Sequence, residues 1–222
     1  MADPQLGKLK KATLVRLAAA ALAALPQARR ARILAEYVPE RTAGARGSQP
    51  ALDGQQFLRQ VSTFVTDSLA EKYYDARPRK DARGWPEDPP LTGVWCQRAQ
   101  ELCEAGMALA AAGQHDTAAQ GLEQLLVLLH HAQEGEQAIV YADEFGLHWY
   151  VLVDFPKLLQ AFFTALARST APEEFARRGL AIASLWTWQE DDALRLLQRS
   201  ARGPYRTALQ RAQAGMRDLG KG

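Results

Sequence analysis

Apolar residues recur along this chain at intervals of three and four, and the polar positions between them never settle into the alternation of a half-buried strand. Over residues 12–25, Leu14, Leu17, Ala18, Ala21, Leu22 and Leu25 share one helical face, and Pro26 ends the run. A shorter basic helix is expected over 27–37, stopped by Pro39. Residues 39–54 then collect Gly44, Gly47, Ser48, Pro50 and Gly54, the composition of a linker. Phe57, Val61, Phe64, Val65 and Leu69 mark a third helix over 57–74. From 75 to 93, Pro78, Gly84, Pro86, Pro89, Pro90 and Gly93 predict a loop without regular structure, long for a compact domain.

Beyond that loop the helical period dominates. Helices are expected over 95–112 and 116–131, separated by Gly113, and over 145–169, where Pro156 either kinks the helix or restarts it after Asp154. Ser169, Thr170 and Pro172, followed by Glu173 and Glu174, signal a helix start, since proline suits the first turn and acids suit the positive dipole end. That helix should reach about Trp186, with two more over 191–200 and 204–219. The expected fold is all-α, about nine helices paired as antiparallel hairpins. An N-terminal helical pair and linker would occupy 1–50, and the body 51–222.

Composition supports this reading. Ala and Leu outnumber Val, Ile and Thr, a bias toward helix. Cys96 and Cys103 are the two cysteines; seven residues apart on one helix, they stand roughly 10 Å from each other along its axis, too far to bond. Buried thiols in a reducing, cytoplasmic setting are expected. Lys8, Lys10 and Lys11 before an Ala/Leu-rich run resemble a secretory leader, but Arg16 interrupts the run and its apolar residues keep to one face. No run approaches the roughly 20 apolar residues of a membrane span, so no membrane role is expected.

The net charge of +2 hides a strong segregation. Residues 1–50 balance at +6, residues 51–100 are neutral, residues 101–150 carry eight acids with no Lys or Arg, and residues 151–222 balance at +4. An acidic middle between basic ends suits either intramolecular pairing or charged partners. Arg29, Arg30, Arg32, Arg41 and Arg46 cluster near one end, and Arg195, Arg199, Arg202, Arg206 and Arg211 near the other. Such stripes can neutralise phosphates, which makes a nucleic-acid-associated protein the alternative function, although the acidic segment would repel a polyanion.

Catalytic and cofactor chemistry leaves no local mark. Neither GxSxG nor a glycine-rich phosphate loop occurs, so no catalytic residue and no cofactor are assigned. An enzyme whose residues are scattered through the chain remains a further alternative. His130, His131, Asp143, Glu144 and His148 form the one conceivable metal group; Gly146 disturbs the helical spacing of Glu144 and His148, so no metal is expected. The candidate partner-binding residues are the acids Glu101, Glu104 and Glu123, which would favour a basic protein or peptide, and Trp186 and Trp188, which flank a helix end and could line a groove, although packing into the core suits them better.

Residues 99–132, AQELCEAGMALAAAGQHDTAAQGLEQLLVLLHHA, resemble one tetratricopeptide unit. Gly106 stands where the first helix needs a small residue, Gly113 at the turn, and Ala118 early in the second helix, with Ala105, Leu109 and Leu122 at apolar positions. His130 replaces the closing proline, and no second copy follows in register. More broadly, the opening LGKLKKATLVRLAAAALAALPQARRARIL, then ELCEAGMALAAAGQHDTAAQ, DEFGLHWY and PEEFARRGLAIASLW, make the chain similar to bacterial helical proteins of unassigned function. Some relatives of that group accompany SWIM-type zinc fingers, whose Cys and His ligands this chain lacks. The resemblance implies a short tetratricopeptide-like array acting as a non-enzymatic scaffold for a protein or peptide.

Overall fold

The computed structural model describes residues 53–75, 89–135, 138–140, 151–186 and 192–219, and an aspartate opens the first helix among them. The Asp53 carboxylate accepts from the backbone N–H of Gln55 at 3.0 Å, and helix α1 runs Gly54–Leu69. It is followed by α2 (Pro90–Ala111), α3 (His115–Glu134), α4 (Phe155–Ser169), α5 (Pro172–Leu185), α6 (Asp192–Ser200) and α7 (Pro204–Leu219). The described residues thus hold seven helices and no strand. These residues are all-α as expected, and seven of the roughly nine expected helices fall among them. The two further helices expected over 12–25 and 27–37 lie outside the described residues, as does most of the 75–93 loop.

Several boundaries differ from expectation, each for a local reason. Helix α1 ends at Leu69 instead of reaching 74. There the N–H of Lys72 bonds to the carbonyl of Asp67 and that of Glu71 to Ser68, with Glu71 in the left-handed region at φ 59°. This is a Schellman closure with glutamate in the seat that glycine usually takes. Helix α2 starts at Pro90, so the last four residues assigned to the irregular loop form its first turn. Proline fits this position because its missing N–H would have had no intrahelical partner. The helix expected from 145 begins at Phe155, with residues 152–154 non-helical before it. Asp154 caps it by accepting from the Lys157 N–H at 3.1 Å, so Pro156 starts this helix and kinks nothing. Ser169 and Thr170 also act differently from expectation. Their hydroxyls donate back to the carbonyls of Ala165 and Leu166, closing α4 rather than opening α5.

Packing follows chain order. Every extensive helix contact joins first or second neighbours: α1 meets α2 and α3, α2 meets α3 and α4, and this continues to α5 with α7. Helix α3 therefore has neighbours on four sides, which is why it buries Ala118, Ala119, Leu122, Leu125, Leu126, Leu128 and Leu129 on several of its faces. The α2–α3 hairpin turns at Gly113, whose φ of 83° favours glycine. Phe57 of α1 is seated over Gly121 of α3 beside Gly106 of α2; a methyl group on Gly121 would overlap its ring. Behind it, the wholly buried Ser68 donates to the Phe64 carbonyl at 2.7 Å and accepts from the Trp95 indole N–H at 2.8 Å, tying α1 to α2.

The two cysteines are buried on α2, and burial pushes the Cys103 thiol up to about 12. No helix of the described residues is long and apolar enough to cross a membrane.

Candidate binding surfaces

The acidic hairpin presents its carboxylates unevenly. Glu101 and Glu104 lie exposed on α2. Glu101 accepts from Gln97 at 2.9 Å and from Arg98 at 3.3 Å, and Glu104 accepts from Gln100 at 2.8 Å, each bond within one helical turn. Such exposed contacts hold side chains loosely and leave the carboxylates accessible. Glu123 is placed otherwise. It receives the Arg178 guanidinium through Nε at 3.1 Å and Nη2 at 2.5 Å, a fork joining α3 to α5 with side chains only 27% and 16% exposed. Glu174 approaches the same guanidinium at 3.9 Å. Donation to Glu123, first, holds Arg178 above its ordinary pKa against the opposing effect of burial.

Trp186 is a core residue. It is 5% exposed, with its ring 5.1 Å from that of Phe155 and 6.1 Å, edge-on, from His130. Trp188 lies outside the described residues. Of the conceivable metal ligands, His130 and His131 are neighbours near the end of α3 with rings 5.9 Å apart, while Asp143, Glu144 and His148 lie outside the described residues. No group of three or more such side chains that could hold a metal occurs among the described residues.

A second surface gathers residues far apart in sequence. Arg168 of α4, Arg199 of α6 and Arg202 in the turn before α7 line a groove of about 590 Å³, with Gln160, Thr164 and Tyr205. Its polar wall is held by internal bonds. The Gln160 amide donates to Thr164 and to Ser200, both at 3.0 Å, and Ser200 donates to the Leu196 carbonyl. The Tyr205 hydroxyl donates to the Thr170 carbonyl at 2.9 Å, while its ring meets Phe175 edge-on. Among the described residues no acid lines the groove, and none of its three arginines forms an ion pair. Arg168 and Arg199 do sit in the last turns of their helices. Each helix end carries only about half a negative charge, and the N-terminus of α7 returns half a positive one, so three full cations leave the groove positive.

Arg199 and Arg202 belong to the five-arginine stripe of the C-terminal region, and Arg168 lies outside it. The cleft between α1 and α2, about 430 Å³, differs in kind, for Arg98 and Asp67 on its wall are paired with Glu101 and Lys72.

Comparison with protein-family models, with curated proteins and with solved structures finds no match for this chain. Its surfaces stand on their own chemistry.

Proposed function

We propose that this protein is a non-enzymatic helical scaffold that binds a protein or peptide partner on stacked, tetratricopeptide-like hairpins. The order of helix packing carries this reading: every extensive contact joins helices that are first or second neighbours in the chain. Hairpins added one upon the next give this pattern, and they leave grooves between successive members open to an extended partner. Further support comes from the small residues of the α2–α3 hairpin, where Gly106 accepts Leu122 against its backbone and Ala118 is fully buried. The exposed Glu101 and Glu104 suit a basic segment, as the arginine groove suits an acidic one.

Affinity capture from a native lysate tests the reading when the wild-type chain is run beside Glu101→Lys/Glu104→Lys and Arg168→Gln/Arg199→Gln/Arg202→Gln. A discrete partner set that is retained by wild type and released by one of the variants is expected. Retention of nothing above empty resin, or of the same proteins by every variant, would count against a scaffold acting through these surfaces.

A further inference from the structure

We infer that the groove between α4, α6 and α7 is a docking site for an acidic, carboxylate-bearing segment of a partner protein. This rests on the scaffold reading and assigns it a place and a ligand chemistry. Arg168 at the end of α4 meets Arg199 and Arg202, three residues apart at the end of α6 and in the turn after it, around one groove. Three guanidiniums around a single hollow repel one another, and the repulsion is relieved when an anion enters. Arg98, Arg177 and Arg178 each face a carboxylate of this chain. The groove arginines lack one among the described residues, and an incoming carboxylate can satisfy their forks two bonds at a time.

The wall completes the site. Thr164 lies one turn before Arg168 on the same face of α4. Its hydroxyl oxygen already accepts from Gln160, which leaves its O–H as a donor for a ligand. With the wall fixed by its own bonds, only the arginine side chains need ordering when a ligand binds. A volume of about 590 Å³ accommodates a few side chains, not a whole domain face.

Nucleic acid is the poorer fit. Strong duplex binders engage roughly six to ten phosphates, twice or more what these cations can reach. Single-stranded binders add aromatic platforms for the bases. Tyr205 is the aromatic of this lining, and its ring and hydroxyl are both already engaged.

Fluorescence anisotropy of a labelled oligoglutamate peptide, titrated with the full chain, tests the assignment. The wild type should bind. Arg168→Gln/Arg199→Gln/Arg202→Gln should weaken binding by roughly tenfold or more. The control Lys72→Gln/Lys157→Gln/Arg177→Gln removes the same charge elsewhere and should stay within about twofold. Thr164→Val should weaken binding without altering net charge. All three groove arginines are exposed, and matching thermal melts would show the fold intact.

The assignment is overturned if wild type does not bind, or if the groove variant binds as wild type does. Equal losses in groove variant and control would reduce it to bulk charge. Tighter binding of a single-stranded oligonucleotide of equal charge would assign the groove to nucleic acid instead. Undiminished capture of the partner set by the groove variant would refute this site and leave the scaffold reading standing.

Discussion

Two helices of this protein close with the same hydrogen-bond pattern but different residues at the critical seat. After α2, Gln114 bonds back to Leu109 and Gly113 to Ala110; after α1, Lys72 bonds to Asp67 and Glu71 to Ser68. Glycine takes the left-handed conformation without cost, whereas glutamate crowds its Cβ against the carbonyl by about 1 kcal/mol or more. Glu71→Gly should therefore stabilise the protein by about 1 kcal/mol, measured by denaturant unfolding. The contrast also explains what was legible. Gly113 announces the first closure, while nothing in SLAEKYY marks the second, so apolar spacing carried the expected helix on to 74. Ser68 was equally silent, because only the fold brings the Trp95 indole to its hydroxyl. Ser68→Ala leaves that buried N–H without an acceptor, and a loss of about 1–3 kcal/mol should appear in the same assay.

At the level of elements, caps and pairs between helices decide how the hairpins hold together. Asp154 starts α4, and its carboxyl is held below the ordinary value mainly by the side chain of Lys157, then by the Lys157 backbone N–H. A carboxyl depressed on folding stabilises the fold above its unfolded pKa, and that contribution fades as pH falls through the folded value. Asp154→Asn keeps a capping oxygen but loses the charge. The wild type should exceed this variant in stability at neutral pH, and the gap should close below the ordinary aspartate range of about 3.9 in a series of melts against pH.

The Glu123–Arg178 fork makes a separate prediction. A double-mutant cycle with Glu123→Gln and Arg178→Gln should give a coupling of about 1 kcal/mol, the upper range for pairs not wholly buried. Sequence alone could not have shown this fork. Its partners are 55 residues apart, and Glu123 stands in a segment of eight acids without Lys or Arg that suggests a surface for a basic partner. The same blindness hid Arg168, which joins Arg199 and Arg202 only through the packing of α4 against α6. Trp186 is ambiguous in the sequence for a related reason, since a tryptophan at a helix end suits either core or groove. Only the arrival of Phe155 and His130 from other helices makes it core.

Across the described body, the segregation of charge along the chain is partly answered within the fold. Arg178 brings the basic C-terminal region onto the acidic hairpin, while Glu101, Glu104 and the groove arginines face solvent. The all-helical class was readable because apolar spacing and an Ala/Leu bias act locally. The neighbour-by-neighbour packing was not, since it depends on which face of each helix finds which. That packing order also bears on how the chain reaches its fold. Helices whose extensive contacts are with first and second neighbours alone need no distant ends to be brought together, and the entropy of closing each loop is small. Proteins rich in such local contacts fold within microseconds to milliseconds. Stopped-flow or temperature-jump refolding should therefore show a dominant phase on that scale, from any hairpin that forms first; a dominant phase of seconds, after allowance for proline isomerisation, would mean that the helices wait on one another in a way their packing does not require.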